Sequence, residues 1–202
     1  MKKALKIGGL VILIAILAVV GFFGFILFGS NTYRTSDIAY YRAISGETDG
    51  PNSLAILGQQ IDIPDCPYTL PYIDALAPYE DYRFNYTARR MSIFESHAYI
   101  LIVEYDAAEY GKRKAELDEV YTWLREGIPG EEEDVSPEFT LDGFQFRTAF
   151  GGKYPKEMLF IGTCDDKQEI AYIYFWYPDL DYVSPSVEDY LKDETGWRKV
   201  VK

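Results

Sequence analysis

A single histidine, His97, is the one imidazole the chain could use as a general base, and it stands in the run "ESHAYILIVEY". A histidine base needs a nucleophile within hydrogen-bond reach and a third group to orient it. No nucleophile-elbow pattern occurs in the sequence. Alternation places His97 with Glu95 and Tyr99 on one side of an extended segment, where it reads as the first residue of a strand. Zinc draws on several His and Cys ligands, and one His with Cys66 and Cys164 is a poor supply. Carboxylates are more plentiful, at Glu131–Asp134, Asp165–Asp166, and Asp179 and Asp181. None has the spacing of a calcium loop, so they read as solvated acidic turns. "FGG" at Phe150–Gly152 is a turn and not a phosphate-binding loop. No catalytic residue, metal site or cofactor is assigned.

The most unusual feature is tyrosine, with 18 in 202 residues, densest in "AYIYFWYPDLDY". Tyrosine gives a large contact area at low entropic cost and can stack on a sugar ring or fill a partner's pocket. The same residues are also ordinary strand formers. Tyr172, Tyr174, Tyr177, Asp179, Asp181 and Tyr182 form the candidate recognition surface. "NYT" at Asn85–Thr87 matches a glycosylation acceptor but lies inside an expected strand.

The elements that must position these residues begin with an apolar N-terminus. "MKKALK" precedes an uncharged run from Ile7 to Phe28. Its 22 residues would form a helix of about 33 Å, enough to cross a hydrocarbon core. The run is longer than a signal-peptide core, and "FILFGSN" has no small-x-small cleavage site, so an uncleaved anchor is expected. Lys2, Lys3 and Lys6 on the N-terminal side place residues 1–6 in the cytoplasm and residues 30–202 outside the cell. Three of the 20 basic residues precede the span, leaving 17 against 32 acidic ones, a net charge near −15. Such a surface disfavours nucleic acid. Cys66 and Cys164 could form one disulfide in an oxidising compartment or remain two separate buried thiols.

After a polar connector over 29–53, with one short helix near Ser36–Ile44, the domain is expected over 54–202. "LAIL" and "QIDI" read as short strands, and the proline-rich stretch after Cys66 as a loop with one helical turn. "YRFNYTAR" alternates strictly and predicts a half-buried strand. Ile93–Tyr105, apolar on both sides in its middle, predicts a central strand in a hairpin with it. Asp106 is an N-cap for a helix whose stripe is Tyr110, Leu117, Tyr121 and Leu124, with Glu109 four residues before Arg113. "FTLDGFQFRTAF", "KEMLFIGTC" and "EIAYIYFWY" are three strand candidates, the last two joined by a "DDKQ" turn. "SPSVEDYLKDE" opens a terminal helix. The expected class is α+β, an antiparallel or mixed sheet with one main helix packed on one face.

At "VEYDAAEYGKRKAEL" the chain resembles uncharacterised single-span proteins of Gram-positive, Firmicutes-type bacteria. Val103–Asp106, Tyr110 and Lys114 carry the resemblance, supported by "RRMSIFES" and "LPYIDALAPYEDY". It implies bacterial origin and membrane anchoring, and no activity. Physically, Tyr105, Asp106, Tyr110 and Lys114 read as strand-to-helix packing and capping. The expected function is thus a membrane-anchored binding or accessory domain without catalysis, its partner a membrane protein or a cell-surface ligand. The alternatives are a sensor or regulator acting through a membrane partner, and a hydrolase built on two carboxylates, which needs no histidine.

Overall fold

Tyr82–Val103 and Val103–Ile170 are cross-strand pairs in a row that spans three strands, so the expected hairpin sits in the middle of a larger sheet. The computed structural model describes residues 13–24, 30–47, 53–56, 59–62, 70–91, 94–127, 136–153, 156–177 and 186–201. Seven strands form one antiparallel sheet in the order β1-β4-β5-β9-β8-β7-β6. They are β1 (Ser30–Thr35), β4 (Asp81–Met91), β5 (Phe94–Glu104), β6 (Glu138–Leu141), β7 (Phe144–Lys153), β8 (Lys156–Cys164) and β9 (Glu169–Trp176). A separate two-stranded ribbon pairs β2 (Ser53–Ile56) with β3 (Gln59–Asp62).

Among the described residues the helices are α1 (13–24), α2 (Ile38–Ile44), α3 (Ala107–Val120), α4 (Val187–Glu194) and α5 (Trp197–Val200), with a 3₁₀ turn at Ile73–Leu76. Among the described residues no helix is long and apolar enough to cross a membrane. The rest of the expected span over 7–28 lies outside the described residues.

Two of the central strands decide the layers. Ile100, Leu101, Ile102 and Val103 are all fully buried, so β5 is covered on both sides. Each such side chain contributes about 1.5–3 kcal/mol by leaving water. Tyr99, Leu101 and Val103 face a layer built from Tyr41 and Ile44 of α2, Ile73 and Leu76 of the 3₁₀ turn, and Tyr110 and Leu117 of α3. Ile100 and Ile102 face the opposite layer, where Val187, Tyr190 and Leu191 of α4 and Trp197 and Val200 of α5 pack. The fold is therefore α+β with helices on both faces, which corrects the expectation of one main helix on one face.

Local chemistry explains most of the elements. Asp106 caps α3, its Oδ1 accepting from the Ala108 and Glu109 amides at 2.8 and 2.9 Å. Glu109 accepts from Arg113 Nε at 2.7 Å, the expected one-turn pair. The helix stops at Val120, short of Leu124, whose amide instead donates to the Thr148 carbonyl at 2.9 Å on β7. Leu124 thereby packs against the second core, and not on the stripe with Tyr110, Leu117 and Tyr121. Tyr110 and Lys114 both donate to Asp165 Oδ1 at 2.5 Å, fastening α3 to the β8–β9 turn. The packing and capping reading of Asp106, Tyr110 and Lys114 agrees with these contacts.

Three further expectations change. The stretch "FTLDGFQFRTAF" is a hairpin, β6 to β7, and not one strand. Asp142 and Gly143 sit at φ 49° and 88°, the two positive values a two-residue type I′ turn requires. Trp197 Nε1 donates to Asp142 Oδ2 at 2.7 Å and ties that turn to α5. The expected connector over 29–53 contributes β1, which extends the sheet beside β4, and α2, whose Tyr41 hydroxyl donates to the Pro71 carbonyl at 2.7 Å. Finally, the middle of β4, from Phe84 to Ala88, is buried on both sides and not half-buried. Asn85 and Thr87 are 4% and 3% exposed on the side expected to be wet. Asn85 Nδ2 and Thr87 Oγ1 each donate to the Thr195 carbonyl at 2.7 Å, so the segment joining α4 to α5 covers them.

Candidate functional site

Tyr172 and Tyr174, expected at a recognition surface, are 3% and 1% exposed. They lie on β9, between β5 and β8, and their rings sit under the helical layer that carries α3. Tyrosines packed this way have no face to offer a ligand, which removes both from the surface expected of them. Tyr177 is half-buried at φ 53°, its ring 5.8 Å from that of Trp176. Asp179, Asp181 and Tyr182 lie outside the described residues. Cys164 carries a buried free thiol, and Cys66, its expected alternative as a bridge partner, lies outside the described residues.

His97 stands in the interior of β5, between Ala88 on β4 and Trp176 on β9, and not at the strand's start. It is 1% exposed. Its Nδ1 lies 2.7 Å from the Tyr86 hydroxyl, and the Trp176 ring meets it edge-on at 5.0 Å. Burial lowers its pKa to about 4, so the imidazole is neutral near pH 7. Nε2 has no hydrogen-bond partner among the described residues. A histidine sealed in this manner is out of reach of a dissolved substrate, and its bond to Tyr86 is a packing feature. Tyr86 is also fully buried, and burial pushes its phenol well above the ordinary range.

The acidic runs are equally settled where they are described. Asp165 is occupied by Lys114 and Tyr110, which hold its carboxyl below the ordinary range. Among the described residues no group of three His, Cys, Asp or Glu side chains could hold a metal ion. Glu131–Asp134 lie outside them.

An open cleft of about 620 Å³ lies elsewhere, at the β1–β4 edge. One wall is Arg34 with the Thr35–Ser36 turn, the floor is the β4 stretch from Tyr82 to Asn85, and the far wall is Lys199 and Val200 of α5. The cleft exists because β1 is shorter than β4. Thr35 pairs with Tyr86, and no described strand continues alongside 81–85. The chain instead turns away at Ser36, and Asp37 caps α2 by accepting from the Ala39 amide at 3.0 Å.

Three cations line this cleft in a chain of net charge −12. Arg83 is neutralised by a partly buried ion pair with Glu169. Arg34 donates to the Glu194 backbone carbonyl at 3.0 Å, which carries no compensating charge. Lys199 makes no ion pair among the described residues and is exposed. The neighbouring Glu194 carboxylate is taken by Arg89 at 2.6 Å. Among the described residues, two positive charges without an ion pair therefore flank a sheet edge that no strand covers.

No protein family, curated protein or solved structure matches this chain. The cleft is thus read from its own geometry.

Of its residues, the sequence marks only Asn85, as the start of the "NYT" match, and none as part of a binding site. Arg34, Arg83 and Lys199 belong to three remote segments, and only the pairing of β1 with β4 and the docking of α5 bring them together. The one local signal was the alternation of "YRFNYTAR", which correctly puts Arg83 on the side opposite Tyr82 and Phe84.

Proposed function

We propose that this chain is a membrane-anchored bacterial protein whose α+β domain lies outside the cytoplasmic membrane and binds a partner at the cell surface without catalysis. The observation that carries the reading is α1. Its Leu13, Ile14, Ile16, Leu17, Val19, Val20, Phe22 and Phe23 are each more than half exposed, and at 100° per residue they point in every direction. An apolar helix bare on all sides is matched to hydrocarbon and not to water. The lysines at 2, 3 and 6 orient residues 1–6 inward, with residues 7–28 as the span. The sheet begins at Ser30, two residues after the span, and the cleft lies at the other end of β1, beside Thr35 and Ser36. The resemblance to single-span proteins of Gram-positive bacteria supports the same arrangement.

Binding, and not chemistry, is supported by the fate of the reactive groups, since His97 is sealed and the open cleft offers cations and backbone. The test is fractionation and topology of the full chain in bacterial cells. The intact protein should resist carbonate washing of membranes. Asp166→Cys, placed in the exposed β8–β9 turn, should react with a membrane-impermeant thiol reagent in unbroken cells. Release of a shortened chain, or labelling only after permeabilisation, would overturn the reading.

A further inference from the structure

The unpaired stretch of β4 has the dimensions and polarity of a strand-binding slot. Its five residues, 81–85, span about 17 Å at 3.4 Å per residue. Direction along the edge follows from the bonds already made. The Tyr105 amide donates to the Gln168 carbonyl at 3.0 Å, in register with the β5–β9 ladder, so the backbone groups of Tyr105 and Val103 face β9 and those of Glu104 and Ile102 face β4. The Tyr82 amide is held by its neighbour's side chain, Asp81 Oδ1, at 2.8 Å. Glu104 and Ile102 pair with Asp81 and Arg83, whose backbone groups therefore face β5, and alternation turns those of Tyr82 and Phe84 to the cleft. Outward-facing backbone of this kind is a template for another strand.

We propose that the cleft captures an extended acidic peptide of a partner protein, which adds to the sheet beside residues 81–85 in line with β1. Main-chain hydrogen bonds to Tyr82 and Phe84 supply the pairing, as in other strand-addition complexes. Arg34 on one side and Lys199 on the other supply the charge selection, because neither is paired with a carboxylate among the described residues. An acidic partner would be repelled by most of this chain, whose charge is −12, and attracted at this slot. Charge thus fixes where on the domain the peptide docks. Asp81 serves the free protein by capping the Tyr82 amide, which blunts the edge until a peptide displaces it. The Thr35–Ser36 turn sets one end of the slot and prevents the incoming strand from running further along β4. The inference rests on the reading of the domain as a binding module and is independent of the anchor.

The experiment uses the full chain in lipid nanodiscs and a fluorescent eight-residue peptide that alternates Asp or Glu with Val. Fluorescence anisotropy should show saturable binding. It should weaken at least tenfold when the acids become Asn and Gln, and at least tenfold when alternate peptide amides are N-methylated. Lys199→Glu, at an exposed position outside the core, should weaken the acidic peptide at least tenfold with unchanged circular dichroism. Hydrogen exchange at the Phe84 amide should slow when the peptide is present. Failure of the acidic peptide to bind would overturn the inference, as would equal binding of the N-methylated peptide, which would mean charge adsorption alone. A stable dimer in sedimentation with the Phe84 amide protected in the absence of peptide would assign the edge to a second copy, and this also overturns it. Each of these failures leaves the membrane topology result untouched, so the two readings fall separately.

Discussion

Tyr86 and His97 meet across β4 and β5 with the phenol oxygen 2.7 Å from Nδ1, and both side chains are shut away from water. The Tyr86 ring also stacks on Tyr99 at 4.5 Å, so the pair is clamped from the side. Its consequence is acid sensitivity. The folded protein holds His97 at a pKa of about 4, while the unfolded chain returns it to the model-compound value of 6.5. Between these values the unfolded state binds more protons, so stability rises with pH and falls on acidification. The contribution is fully present above about pH 6.5 and lost progressively down to about pH 4, on the order of 3 kcal/mol at about 1.4 kcal/mol per unit. Urea unfolding of the wild type and His97→Phe at pH 7 and pH 4 checks this. The gap between the two proteins should change by that amount in favour of the variant at pH 4, and an unchanged gap would refute it.

Asn85 and Thr195 join the sheet to the C-terminal helices. Asn85 Nδ2 donates to the Thr195 carbonyl at 2.7 Å and to Thr87 Oγ1 at 3.0 Å. Asn85→Asp keeps the shape and replaces a donor with an acceptor facing a carbonyl in a dry site. The expected cost is about 1–3 kcal/mol, read as a lower urea midpoint at constant slope. A midpoint equal to wild type would mean that Thr87 alone secures the junction.

Gly162 on β8 leaves room for Phe146. A Cβ at position 162 would lie 2.3 Å from Phe146 Cε1, and Phe146 is 1% exposed with nowhere to move. Gly162→Ala should destabilise by about 1–3 kcal/mol through overpacking. In a Phe146→Leu background the same substitution should cost less, and a double-mutant cycle measures the coupling. Equal cost in both backgrounds would place the strain in the backbone.

Asp106→Ala removes the acceptor for two amides at the start of α3. About 1 kcal/mol should be lost, a fall of about 2–4 °C in Tm by calorimetry. Asp106→Asn or Asp106→Ser should recover most of it, since each retains a capping oxygen.

Local pattern was enough to find the elements it could see. The apolar middle of β5 predicted a strand covered on both sides because no polar residue interrupts it, and Asp106 predicted the start of α3 because its carboxylate can cap two amides. The Asp142–Gly143 dipeptide suits positive φ and marks the hairpin, while the alternation on either side of it has the pattern of one continuous strand. Burial misled where it depends on distant chain. Asn85 and Thr87 look like the wet side of a strand, and only the Thr195 carbonyl, more than a hundred residues later, makes them dry. The tyrosine-rich run of β9 looked like a surface for the same reason, since its density carries no information about which strand will be central.

What the sequence determined by itself is therefore local: the apolar N-terminal run, the acidic balance, the strand and helix positions and the α+β class, each set by spacing and side-chain chemistry within a few residues. Only the tertiary structure decided the order of strands, the helices on both faces, the sealing of His97 and the cleft between Arg34 and Lys199. These depend on which segments meet, and β1 and α5 meet β4 through backbone pairing and packing that no short stretch of sequence encodes.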